Sequence, residues 1–179
     1  MRVSTDDQAD AGAIVGLFEE TFAASEGAEE GALIGQLAKA LLETTSPDDL
    51  FVVSAWEKGS LVASLLFTRL DFAADERTVF LLGPVAVRPD RQGMGIGQAL
   101  LRQGLEALRA GGVDVAVTYG DPAYYAKVGF HPVGEDDVPP PQPLKFPHGW
   151  QAQALDGKAM KPLAGPSRCV AAFADPRYW

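Results

Sequence analysis

The chain reads as an α/β fold with a mixed sheet, and three features of the sequence predict it. Val79–Val87 is a continuously apolar, β-branched run of the kind buried on both faces. A leucine-patterned helical stretch and a second apolar run, Val113–Thr118, follow it. Strand, crossover helix and strand imply a parallel pair. Ahead of them, two shorter runs flank Glu57-Lys58-Gly59 as in an antiparallel hairpin.

Val3 starts a short strand. Thr5 and Asp6 offer caps to a helix whose apolar positions Ile14, Leu17, Phe18 and Phe22 fall at helical spacing. The small residues of Ala23–Gly27 break that pattern. A second helix carries Leu33, Ile34, Leu37 and Leu41 on one face, and Ser46-Pro47 ends it. The hairpin strands are Phe51–Trp56 and Ser60–Phe67, with Ala73–Arg77 a polar turn before Val79. Gln98–Ala110 is the crossover helix, with Leu100, Leu101, Leu105 and Leu108 inward and Gly111-Gly112 as its stop. Asp121-Pro122, an acceptor and then a proline, starts a short helix that Gly129 ends. Phe130 opens a strand. Residues 135–149 hold five of the 13 prolines and read as a loop. Gln151–Leu155 and Cys169–Phe173 supply a last antiparallel hairpin.

Function is written most densely between Val85 and Gln98. A β-branched strand stops at Pro89, and Gly93, Gly95 and Gly97 alternate through a turn that leads into a helix. Glycines there can take positive φ and let a ligand approach the backbone. The free N–H groups of a helix start, together with its dipole, favour phosphate. The nucleotide-hydrolase loop needs Gly-Lys-Ser/Thr at its end, and Gly97 is followed by Gln98 and Ala99. The dinucleotide fingerprint needs a third glycine where Gln98 or Leu100 stands. What remains is Gln92-x-x-Gly95-x-Gly97 with Val87-x-Pro89 upstream, or a plain glycine-rich turn. A second block, Tyr119-Gly-Asp-Pro-Ala-Tyr-Tyr-Ala-Lys-Val-Gly-Phe130, lies about thirty residues on. The two motifs, in this order, resemble the GNAT acetyltransferase superfamily. The likeness is clearest over residues 50–133. It is nearest to the bacterial branch with Leu82-Gly83-Pro84-Val85 before the loop and Gly120-Asp121-Pro122-x-Tyr124-Tyr125 after it.

The resemblance implies a single-domain GNAT-like fold over residues 1–179, with two splayed parallel strands and helices on both faces of the sheet. It implies acetyl-CoA as acyl donor and no metal. The pyrophosphate would lie on the loop amides of Gly93, Met94, Gly95, Ile96, Gly97 and Gln98, after Gln92. The pantetheine arm would pair with Val85 and Val87 like an extra strand. Val85, seven residues before Gln92, would present its backbone N–H to the thioester oxygen. Tyr125, five residues before Phe130, would be the general acid, a phenol that stays protonated at neutral pH and can donate to a leaving thiolate. Gly83-Pro84 fits a splayed strand, since proline deletes a ladder donor, and it also fits an ordinary bulge. Two departures stand out. No asparagine lies near residue 120, and Leu81 occupies the position, eleven before Gln92, where many relatives carry a glutamate base. Glu76 and Asp71 lie nearby in sequence.

Composition bounds the partners. A net charge of −9 argues against nucleic acid and anionic membranes. One cysteine allows no internal disulfide and favours the cytoplasm. No stretch is long enough to span a membrane. The resemblance implies an amine-bearing small molecule or peptide as acceptor, and an enzyme that works as a monomer or homodimer. The rival class is a non-catalytic acyl-CoA-binding or regulatory module, because fold and cofactor loop do not establish turnover.

Overall fold

The computed structural model describes residues 1–5 and 10–179. Its strands are β1 (Arg2–Ser4), β2 (Leu50–Glu57), β3 (Ser60–Phe72), β4 (Val79–Val87), β5 (Val115–Tyr119), β6 (His131–Pro132), β7 (Trp150–Ala154) and β8 (Ser167–Cys169). Its helices are α1 (Ala11–Glu26), α2 (Ala28–Thr44), α3 (Ile96–Ala110) and α4 (Pro122–Tyr125). Hydrogen-bonded strands follow the order β1-β2-β3-β4-β5-β7-β6, and β8 adds to β3. β4 and β5 are parallel from Val79↔Val115 to Leu82↔Thr118. β1–β2, β3–β8, β5–β7 and β6–β7 are antiparallel. This is the mixed α/β sheet that the sequence predicts.

The chain packs as two compact units, each assembled from two stretches of sequence. They are Met1–Phe67 with Pro84–Gly104, and Thr68–Gly83 with Leu105–Trp179. In the first, Ile14, Leu17, Phe18, Leu37, Ala38 and Leu41 of the two opening helices are buried, as are Val52, Val53, Leu65, Leu66 and Phe67 of the hairpin. A Cβ on Gly31 would fall 2.6 Å from the Ala23 Cβ and 2.7 Å from the Glu19 carbonyl oxygen, so α1 and α2 touch backbone to backbone there. In the second unit Leu70, Phe80, Leu81, Leu82, Val115, Val117, Phe130, Trp150, Leu155 and Trp179 are buried.

Several boundaries differ from the sequence reading. Asp6 lies outside the described residues, and the cap of α1 is Asp10, whose side chain accepts from the Gly12 amide at 2.9 Å. Ala23–Glu26 stay helical; the break comes only at Gly27, with φ +100°. β3 runs on to Phe72, five residues past Phe67, because β8 pairs its end from Leu70↔Cys169 to Phe72↔Ser167. The expected closing hairpin is therefore absent among the described pairings. The Gln151 strand pairs with β5 and β6, and Ala171–Phe173 is a 3-10 turn. α3 begins at Ile96, two residues before Gln98, so Ile96 and Gly97 belong to its first turn.

Candidate active site

Within the first unit, β4 delivers the loop. The Arg88 amide donates to the Val62 carbonyl at 2.8 Å. Alternate residues of an antiparallel strand face the partner, so Val85 and Val87 direct their N–H and C=O groups away from β3. The Val87 carbonyl bears this out, because it accepts from Gln92 Nε2 at 3.0 Å. Gln92 thus ties the loop back to the end of β4. Two ion pairs brace the same turn: Arg88 Nη2 reaches Asp90 at 2.9 Å, and Arg91 Nε reaches Glu57 at 3.0 Å.

Gly93 and Gly95 hold φ +75° and +78°, and a Cβ on either would meet nothing within 4 Å. Glycine is required there by backbone conformation, with open space outside it. Gly97 is helical and shows no positive φ, which corrects the expectation for all three glycines. The Ala99 amide closes the first helical turn on the Gly95 carbonyl at 3.0 Å. The amides of Gly95, Ile96, Gly97 and Gln98 consequently have no carbonyl one turn back, and the positive end of α3 lies at them. Met94 is 66% exposed on the outer side of the turn. A row of free amides at a helix start is the kind of donor set that suits an anion.

Within the second unit, β5 and α4 build a different group of residues. Asp121 caps α4 by accepting from the Ala123 amide at 2.9 Å, and Gly129 closes the following turn at φ +99°. Gln153 Nε2 donates to the Val128 carbonyl at 3.1 Å and fixes that end. The Tyr125 ring lies against Gly120, where a Cβ would come 2.9 Å from its Cε2, and packs edge-on against Phe130 with centroids 5.8 Å apart. Thr118, in β5 ahead of α4, is fully buried. Burial pushes the Tyr125 phenol up to about 12, with the Thr118 side chain acting in the opposite direction. Tyr124, also raised by burial, turns its ring across Tyr125 at 83°.

The last β4–β5 pair is Leu82↔Thr118, and β4 continues to Val87 beyond it. Gly83, at φ +152°, marks the departure, directly before Pro84. Thr118 Oγ1 donates to the Leu82 carbonyl at 3.2 Å, so a side chain satisfies the last paired residue. Opposite Thr118 in register is Gln151, fully buried, whose Nε2 donates to the carbonyls of Gly120 and Gly149 at 3.2 Å each. Neither residue stands out in the sequence as a candidate site residue. The available signal was polarity, a threonine closing an apolar strand and a glutamine within a strand-like run.

Leu81 is buried, and the two upstream carboxylates do not replace a glutamate there. Glu76 is exposed in the turn before β4, roughly 20 Å along extended chain from Leu82. Asp71 is exposed near the end of β3, 3.8 Å from Arg168. His131 and His148 are exposed. Trp150 and Trp179 are core residues whose indole N–H groups donate to the Val138 and Phe173 carbonyls at 2.7 Å each. No helix among the described residues is long and apolar enough to cross a membrane.

Residues 13–130, which contain both the loop and the tyrosine helix, match the model of the acetyltransferase (GNAT) family. The uncharacterized N-acetyltransferase YjhQ of Escherichia coli (strain K12) is 36% identical over 139 residues, 75% of this chain and 76% of its own. A GNAT family acetyltransferase from Brucella melitensis, solved in complex with acetyl-CoA, is 27% identical with a TM-score of 0.74, covering 96% of this chain and 97% of its own. The fold is also that of the N-acetyltransferase YhbS from Escherichia coli in complex with CoA, at a TM-score of 0.81 and 22% identity over 97% of this chain and 92% of its own. By its sequence motifs, its fold and these matches, the chain belongs to the acetyltransferase (GNAT) family.

Proposed function

We propose that this acyltransferase moves the acetyl group of acetyl-CoA to a primary amine by direct attack in a ternary complex. The observation that carries the reading is the loop from Gly93 to Gln98, with two positive-φ glycines opening onto the free amides of α3. That cradle suits a pyrophosphate, and the Brucella relative binds acetyl-CoA. Gln92 would act by holding the loop on Val87, and Met94 and Ile96 by their backbone amides. The outward N–H and C=O groups of Val85 and Val87 suit an extended amide-bearing arm. In the reaction the Val85 amide would stabilise the oxyanion, and Tyr125 would protonate the departing thiolate. With Leu81 apolar, the amine would enter in its neutral fraction or lose its proton to water.

The reading treats residues 1–179 as one domain working in the cytoplasm on an amine-bearing small molecule or peptide. Thiol release from acetyl-CoA over a panel of primary amines tests it. Amine-dependent release is expected. Tight acetyl-CoA binding with no release over the panel would assign the chain to the non-catalytic acyl-CoA-binding module.

A further inference from the structure

Gln151 is fully buried in β7, and its side chain works through one atom. Nε2 has two protons to give, and they go to the Gly120 and Gly149 carbonyls at 3.2 Å each. Oε1 is buried and accepts from no group among the described residues. The amide cannot be turned over, because Oε1 would then face two carbonyls that have no proton to give. A buried acceptor left unpaired is costly. An apolar side chain would fill the position without that cost, but it would leave the Gly120 carbonyl without this donor. Gly120 joins β5 to Asp121, the cap of α4. Its N–H donates to the Gly149 carbonyl at 3.0 Å, and Gly149 packs directly on it, since a Cβ there would fall 2.8 Å from the Gly120 oxygen. From Gly120 the chain makes a short circuit. The Tyr125 amide donates to the Asp121 carbonyl at 3.2 Å, and the Tyr125 ring comes back over Gly120. The residue that Gln151 holds is therefore the one on which the ring rests.

We propose that Gln151 is a positioning residue for acetyl transfer: by anchoring the Gly120 carbonyl from the neighbouring strand, it sets where the Tyr125 ring, and with it the hydroxyl, stands. The inference rests on the reading of Tyr125 as the acid. A general acid must stand within hydrogen-bond reach of the atom it protonates, and a displacement of about 1 Å can cost about a hundred-fold. α4 is four residues long, too short to hold its own direction through helical hydrogen bonds. Its direction comes from β7. Gln153 Nε2 grips the exit of the tyrosine turn at the Val128 carbonyl, 3.1 Å away, and Gln151 grips the entry at Gly120. The two glutamines alternate along the strand and so share one of its faces. Without Gln151 the entry is tied to β7 only through the Gly120 N–H, and the Gly120–Asp121 peptide that leads into α4 loses the bond that fixes its carbonyl.

The test uses tyrosine labelled with 13C at Cζ and four proteins: wild type, Gln151→Met, Gly149→Ala and Tyr125→Phe. The resonance missing from Tyr125→Phe belongs to Tyr125. Gln151→Met keeps the length of the side chain and removes both donors. Gly149→Ala leaves Gln151 in place and drives a methyl at the same Gly120 oxygen. Both are expected to shift the Tyr125 resonance. An unmoved resonance in a folded Gln151→Met protein overturns the proposal without any appeal to activity; if that variant does not fold, an unmoved resonance in Gly149→Ala does so. In thiol release from acetyl-CoA, Gln151→Met is expected to lower kcat about ten- to a hundred-fold with KM for acetyl-CoA unchanged. In a Tyr125→Phe background it should cost nothing further. An equal loss in that background shows a merely structural role and overturns the proposal, as does a wild-type kcat in folded Gln151→Met. Full activity of Tyr125→Phe instead overturns the acid reading, whereas an impaired Tyr125→Phe beside an unmoved resonance overturns the role of Gln151 alone.

Discussion

At the scale of the residue, Tyr125 shows how far spacing carries. Its distance in sequence from Gly129-Phe130 singled it out, and the structure sets its ring against Gly120 and Phe130. Tyr125→Phe removes only the O–H. Turnover is expected to fall about ten- to ten-thousand-fold with coenzyme A affinity unchanged in calorimetry. A dead Tyr124→Phe beside a fully active Tyr125→Phe would reassign the acid to Tyr124. Because burial holds the phenol near 12, its neutral form persists across the working range. The pH–rate profile of wild type should then show no falling limb removed by Tyr125→Phe below about pH 10, the ordinary value for a phenol. What spacing could not reveal is the hydrogen-bonded setting. Thr118, Gln151 and Gln153 come from strands that are neighbours only once β5 and β7 pair, and a polar side chain in an apolar run carries no label for what it will hold.

At the scale of the element, the phosphate loop and the opening helices make opposite demands on glycine. Gly95 is needed for its φ of +78° and for the open side it leaves, so Gly95→Glu adds backbone strain, bulk and like charge against a phosphate. Coenzyme A binding should vanish in calorimetry while the circular dichroism stays native; wild-type affinity would move the cofactor elsewhere. Gly31 is needed for contact. Gly31→Ala drives a methyl into Ala23 and the Glu19 backbone and should destabilise by about 1–3 kcal/mol in urea unfolding. Gly16→Ala, on an exposed helical face with nothing within 4 Å, should instead stabilise by about 0.5–1 kcal/mol. If both shift stability alike, the close approach of α1 and α2 is not what Gly31 serves. The helices themselves were legible from their apolar periodicity. Their seam was legible only in part: Leu37 and Leu41 of the expected face are buried, but Leu33 and Ile34 are only part-buried, and leucine counting gives no sign of the buried Gly31, Gly35 and Ala38.

At the scale of the whole molecule, the order of helices and strands was readable because each is specified locally, and the placing of β8 was not, because its partner lies about a hundred residues upstream. What holds the chain before β8 in place is a clasp in the β3–β4 turn. Asp75 accepts from the Arg77 amide at 3.0 Å, from its Nε at 2.9 Å and Nη2 at 2.7 Å, and from the Ala164 amide at 3.1 Å. Arg77 in turn donates to the carbonyls of Lys161 and Pro162. The Arg77 guanidinium and these amides hold the Asp75 carboxyl down at about 2, against an ordinary value of 3.8. A depressed carboxylate contributes stability that is complete above its unfolded value and disappears as pH falls through its folded one. The window is therefore pH 4 to 2. It is separate from the net charge, which passes through zero near pH 4.6 and grows positive across that window, a repulsion that acts on both proteins alike. Asp75→Asn should cost about 1–2 kcal/mol at pH 7, and the difference from wild type should shrink towards zero as pH approaches 2. Urea unfolding of both proteins at pH 7, 4, 3 and 2 measures it. A difference that stays constant with pH would mean that the clasp works through the shape of the turn and not through the charge on Asp75.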